Sequence, residues 1–301
     1  MSYTLDNTDL WLQYGIKGGQ APDSNIAVKG VFDMPQRLGE TFYDWGDENG
    51  IEPYVADVDI IFGGRDVVFY GIILGAREEV NVKLQQLYTQ VKSFTDLVVL
   101  GTPYGSFDVT VRSVIPTYKP GICSFEMLCR EPYVKAYLFN FILKDTNDDF
   151  MIDNQGNRIV LNGWQPLPGT GVSPYTIDGI PFASLGLSLN EATDLHNLGD
   201  FKDQFVTKYA GEAYQLVKRQ GNRLVFNGYL IGSTLNDFTT KAKWIQTLFI
   251  KPGLRTIKIR DEVVLECFAT DGFEITGTYL YETAMIARFN ASLMISSTSY
   301  I

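Results

Sequence analysis

One histidine, three cysteines and a short acidic loop are the residues of this 301-residue chain whose types could carry chemistry. His196 stands in "DLHNLGDF". A single histidine is enough for a Ser-His-Asp triad, but no G-x-S-x-G elbow accompanies it, and a metal site built from several histidines is ruled out. His196 therefore reads as a loop or core residue. "DTNDDFMIDNQG", Asp145 to Gly156, has the acidity of a calcium loop. An EF-hand needs glycine at position 6 and glutamate at position 12; here those places hold Phe150 and Gly156, so the stretch reads as a hairpin tip. Cys123 and Cys129 in "ICSFEMLC" share one face of a predicted strand but stand roughly 20 Å apart at ~3.4 Å per residue, beyond the ~7 Å a disulfide spans. They read as small core residues. "GTGVSP", Gly169 to Pro174, opens no helix and is too short for a dinucleotide fingerprint, and no G-x-x-x-x-G-K-[ST] occurs. Asn290-Ala291-Ser292 fits a glycosylation sequon inside a predicted strand. "CREPY" closes a strand and offers no catalytic reading. The expectation is a protein without catalytic residues, metal or cofactor; only carboxylates gathered in space would escape such a reading.

The elements that frame these residues are mostly strands. Hydrophobic residues make up 45% of the chain and charged ones 20%, which suits a folded core and not a disordered one. Seventeen Tyr and 19 Phe, with many Val, Ile and Thr, favour β-structure. The net charge of −10 argues against an adhesive groove for nucleic acid and against docking on an anionic membrane. The N-terminus "MSYTLDNTDLW" lacks the pattern of a signal peptide. Apolar runs such as Val67 to Leu74 are far shorter than the ~20 residues of a membrane span.

The strands come in two sets. "YTLDNTDLWLQYGIK", Tyr3 to Lys17, is matched by "YTIDGIPFASLGLSL", Tyr175 to Leu189, with Tyr3, Thr4, Asp6 and Gly15 answering Tyr175, Thr176, Asp178 and Gly186. "GGRDVVFYGIILG" is matched by "QGNRLVFNGYLIG": Val68-Phe69-x-Gly71-x-x-x-Gly75 against Val225-Phe226-x-Gly228-x-x-x-Gly232. "ICSFEMLC" is matched by "IARFNASL", with Ile122 and Phe125 answering Ile286 and Phe289. Three matches in one order indicate an internal duplication.

Each unit has an opening strand, a variable segment, strands around a polar tip, one helix and a strand meander. "GGRD" and "QGNR" read as hairpin turns. In the first helix Val80, Leu84, Leu87 and Val91 form one apolar face, with Glu78 and Glu79 at the dipole's positive end. In the second, Ser233 is the expected N-cap, and Phe238, Ala242, Ile245 and Phe249 form the stripe. In the last strand Ala287, Phe289, Ala291, Leu293 and Ile295 alternate onto one face. Between the units, "YLFNFILKD" and "RIVLNGWQPLP" read as strands, followed by a Gly/Pro linker. The expected domains are 1–133, a β-hairpin bridge and linker at 134–174, and 175–301.

This plan resembles the tail-tube fold of bacteriophage tails and related injection machines, and distal tail and tail-hub proteins in particular. The residues that carry the likeness are "RDVVFYGIILGAREEVNVKLQQLYTQV" and "NRLVFNGYLIGSTLNDFTTKAKWIQTLFIKPGLRTIKI". The resemblance implies a mainly β, α+β chain of two similar tail-tube-like barrel or sandwich domains, each with one flanking helix. It implies a structural subunit of a phage or prophage tail tip, located in the virion tail after synthesis in the bacterial host cytoplasm. Its partners would be its own copies in a trimer or hexamer ring, the tail tube protein and other tail-tip proteins. DNA would pass without specific binding, through a channel whose carboxylates repel it, and no membrane insertion is implied. The alternative is a carbohydrate-binding or adhesin-like β-protein using Trp11, Trp45 and Trp164 for sugar stacking; a third reading is a tail-associated hydrolase.

Overall fold

The computed structural model describes residues 2–44, 51–134, 141–142, 160–161, 173–190, 204–207, 211–214, 222–259 and 263–300. The first unit runs β1 (Thr4–Leu5), β2 (Thr8–Asp9), α1 (Leu10–Tyr14), β3 (Ile16–Gly18), β4 (Val28–Lys29), β5 (Phe42–Asp44), β6 (Ile51–Pro53), β7 (Arg65–Leu74), α2 (Arg77–Ser93), β8 (Val98–Thr102), β9 (Gly105–Lys119) and β10 (Ile122–Glu131). Two short strands, β11 (Phe141–Ile142) and β12 (Val160–Leu161), pair in the bridge. The second unit runs β13 (Tyr175–Ile177), β14 (Ile180–Pro181), a 3-10 turn (Phe182–Leu185), β15 (Leu187–Leu189), β16 (Gln204–Thr207), β17 (Gly211–Tyr214), β18 (Asn222–Gly232), α3 (Leu235–Ile250), β19 (Arg255–Ile259), β20 (Val263–Phe268), β21 (Phe273–Leu280) and β22 (Met285–Tyr300).

The two main sheets have one plan. The first is ordered β2-β1-β8-β9-β10-β7-β3 and the second β14-β13-β19-β20-β22-β18-β15, each with an eighth strand off the path. Substituting each strand by its sequence counterpart turns one order into the other. The fold is thus α+β: two similar, mainly β domains with three helices in all among the described residues.

Local chemistry explains the repeated opening. Asp6 and Asp178 sit at φ 49° and 50°, the left-handed region that short polar side chains tolerate at hairpin tips. Their N–H groups donate to Val99 O at 2.9 Å and Thr256 O at 2.7 Å, equivalent places on the next strand of each sheet. Gly15 and Gly186 end the following helical turn at φ 65° and 72°, the usual glycine stop. Leu10, Tyr14, Phe182 and Leu185 face inward from those turns.

Both long helices form where their periodicity predicts. Val80, Leu84 and Leu87 are buried on α2, and Phe238, Ala242, Ile245 and Phe249 on α3. The cap of α3 is shifted by one residue from the expected place. Thr234 is the N-cap, its hydroxyl accepting from Asp237 N at 3.1 Å, while Ser233 bonds to the Asp237 carboxylate through its N–H and hydroxyl. The pair closes two unsatisfied donors at the helix start.

The reading of "GGRD" as a hairpin turn is also corrected. Arg65 and Asp66 already lie in β7, and β7 pairs with β10, β3 and β4, not with a strand across that stretch. Gly64 lies against the backbone of Glu131 and Pro132, so close that a Cβ would collide with it. The "QGNR" counterpart lies partly outside the described residues. Cys123 and Cys129 are free and buried, as expected of core residues, and Cys267 is free and buried as well.

Candidate functional site

Among the described residues no cluster of His, Cys, Asp or Glu could hold a metal. His196, Asp145 to Gly156, Trp45 and Trp164 lie outside them. Asn290-Ala291-Ser292 is inside β22, with Ala291 buried. Trp11 is 51% exposed, with the Lys17 ammonium 4.6 Å over its ring. What the chain does build with care is a contact between its two units, made by the first unit's variable segment.

That segment leaves β3 and runs along the free edge of β21. Asn25 N donates to Thr278 O at 3.1 Å and Met34 N to Phe273 O at 2.9 Å. Ser24 Oγ donates to the same Thr278 carbonyl. The Asn25 amide is bidentate, giving its Nδ2 to Leu280 O and accepting Leu280 N, both at 2.7 Å. Farther on, Arg37 is buried and donates to Ala269 O at 3.0 Å, Tyr54 O at 2.7 Å and Asp59 O at 3.2 Å, gathering both units. Phe32 meets Phe238 of α3 edge-on at 5.1 Å, and Phe42 meets Phe268 at 6.2 Å. Edge-on aromatic pairs add roughly 0.5–1.5 kcal/mol to their area burial. Gly272 has no side chain because the Met34 and Pro35 carbonyls occupy the place a Cβ would take. The break between β20 and β21 opens there, where β9 of the first unit runs on unbroken.

A charged chain props this contact. Glu131 and Arg65 stand opposite each other at the ends of β10 and β7. Arg65 Nε lies 2.6 Å from Glu131 Oε2, with side chains only 12% and 7% exposed. Arg65 Nη1 donates to Asp33 O at 2.8 Å. The Asp33 carboxylate accepts Ile275 N at 2.7 Å, across the boundary. Burial pushes the Asp33 carboxyl up to about 6, against the pull of that N–H and of Arg65 and Lys29; Glu274 adds to the rise. The guanidinium of Arg65 also lies 5.3 Å over the Phe107 ring. Glu131 belongs to "CREPY" and Arg65 to "GGRD", two stretches without a functional reading in the sequence. The signal was present in the alternation. Glu131 shares parity with the core residues Cys123, Phe125, Met127 and Cys129, and Arg65 with Val67, Phe69 and Ile73. Charges on the buried face must find each other.

Beside this chain lies a cavity of about 120 Å³ lined by residues of both units, including Arg65, Tyr104, Glu131, Thr239 and Gln246. The arrangement can fix the relative position of two domains.

No family model matches the chain, and no curated protein matches it. Among solved structures it is similar to the crystal structure of the SPP1 Dit protein, described as a paradigm of the hub adsorption apparatus in phages infecting Gram-positive bacteria. The identity is 8% and the TM-score 0.33, over 99% of this chain and 98% of that one.

Proposed function

We propose that this chain is a structural subunit of a phage or prophage tail tip, a distal tail or hub component that joins the tail tube to other tip proteins in a ring around the DNA channel. The observation that carries the reading is the duplicated unit itself. Two sheets of one strand order, with the same strand-to-helix step after Val68-Phe69 and Val225-Phe226, repeat the plan whose sequence resembles tail-tube and tail-hub proteins. The acidic balance suits a conduit that repels a passing polyanion. The built contact between the units suits a load-bearing part, and the reading involves no catalytic step or cofactor. The domain limits proposed for it are 1–133 and 175–301, joined by the bridge at 134–174.

The test is purification of particles from cells that express the gene in its native phage or prophage context, with peptide mass spectrometry and antibody labelling in the electron microscope. Label confined to the distal end of tails supports the reading; absence of the chain from tailed particles overturns it. A second reading, a sugar-binding surface, draws on the exposure of Trp11. Glycan-array binding lost in Trp11→Ala would favour it.

A further inference from the structure

The hydrogen bonds that join the two units are of two kinds. The side chains of Ser24, Asn25 and Arg37 carry the same charge throughout the acid and neutral range. So do the backbone bonds, Asn25 N to Thr278 O, Met34 N to Phe273 O and Gly253 N to Val55 O. The bond from Ile275 N to the Asp33 carboxylate, at 2.7 Å, ends on a group whose charge depends on pH. Another carboxylate at the boundary, Asp23, lies 3.6 Å from Arg288, with both side chains more than half exposed, where water screens the pair.

The surroundings of Asp33 provide poorly for a charge. Among the described residues Ile275 N is the one hydrogen-bond donor to its carboxylate. Arg65 on β7 uses Nε on Glu131 and Nη1 on the backbone carbonyl of Asp33, not on its carboxylate. Lys29 from β4 and Arg65 attract the carboxylate through space, and Glu274 from β21 repels it. Glu131 from β10 reaches it only through Arg65, which it holds at 2.6 Å. Burial outweighs the N–H and the two cations, and the carboxyl is raised to about 6 while the units are closed.

We propose that Asp33 makes the contact between the two units an acid-tightened clasp: with the carboxyl protonated the variable segment stays on the edge of β21, and with it ionised the segment lifts from that edge more often while both sheets remain folded. Lifting returns the carboxyl to water, where it ionises at about 4. The closed form is therefore favoured by protonation. Its full strength is reached below about pH 4, and this contribution is lost as pH rises through 6. The Asn25 amide on Leu280 and the carbonyl bonds of Arg37 do not titrate, so the clasp loosens without coming apart. The device belongs to the chain itself and does not require the tail-tip reading.

The test is amide hydrogen exchange of the full chain, residue by residue, from pH 4 to 8 and at several low urea concentrations, with rates corrected for the intrinsic effect of pH. The amides of Asn25, Met34 and Ile275 are bonded across the boundary. They should open more readily, and with less dependence on urea, than those in the middle of β7 and β18. Their opening constant should rise about tenfold or more over the pH range. Asp33→Asn should hold that constant level. Glu274→Gln removes a repulsion, so its rise should be smaller and end at lower pH. A flat wild-type profile, boundary amides that open only when the whole protein unfolds, or a rise that survives in Asp33→Asn overturns the proposal. Should Asp33→Asn fail to fold, wild type and Glu274→Gln decide, and a rise unchanged in Glu274→Gln overturns it as well.

Discussion

Gly71 on β7 stands directly opposite Phe125 on β10, and the ring of Phe125 fills the space where a Gly71 side chain would be. Gly228 and Phe289 hold the same places in the second unit. In the first unit two of the matched motifs are thus the two sides of one packing contact, a glycine that leaves room for an aromatic ring on the neighbouring strand. In the second unit the obstacle is different, because a Cβ at Gly228 meets the Ser188 carbonyl and the Leu189 backbone.

Gly71→Ala is expected to destabilise the protein by about 1–3 kcal/mol through overpacking, and Phe125→Leu in the same chain should recover part of the loss. Gly228→Ala should cost at least as much, with no relief from Phe289→Leu, because backbone cannot rotate aside. Urea denaturation of the five chains checks both statements.

The Asp33 carboxyl is raised to about 6 in the folded protein, above the ~3.9 of an unfolded aspartate. Its protonated form is favoured by folding, so this contribution is whole below about pH 4 and is lost as pH rises through 6. A shift of about two units corresponds to roughly 3 kcal/mol at most. Urea midpoints measured from pH 4 to 8 should fall for wild type across that window. Asp33→Asn keeps an acceptor for Ile275 N and should flatten the profile.

Arg65→Met leaves Glu131 buried without its partner and removes the donor to Asp33 O. A loss of about 3–5 kcal/mol is expected for breaking such a pair. Restoring a cation with Arg65→Lys should recover only part of it, because the ion pair and the carbonyl bond need a forked donor. Denaturation curves separate the two.

Thr234→Ala should cost about 1 kcal/mol by removing the acceptor for Asp237 N. The measurement is the melting temperature, and a fall no larger than that of an exposed mid-helix substitution would count against the cap.

Burial pushes the Cys129 and Cys267 thiols up to about 12 and raises Cys123 as well. The thiolate is the reactive form, so a thiol reagent at neutral pH should label none of the three until denaturant is added. Mass spectrometry of labelled peptides reads this directly.

The sequence by itself determined the paired stretches that fall in two similar β domains, the two long helices with their buried faces, and the mainly β character. Each is local: period 3.6 on α2 and α3, period 2 on β10 and β22, and a hairpin Asp with a stopping glycine in both openings. It also placed Cys123 and Cys129 in the core, on one face of their strand. It missed the cap at Thr234 by one residue, because Ser233 and Thr234 are both competent caps and backbone direction chooses between them. Only the tertiary structure decided how the two units meet. The segment from Gly18 to Gly50 has no repeat partner and no strong period, and its Asn25, Asp33 and Arg37 acquire partners more than two hundred residues away. Side chains that bond across such a distance leave no pattern in their own neighbourhood, since the geometry that joins them exists only once both sheets have formed.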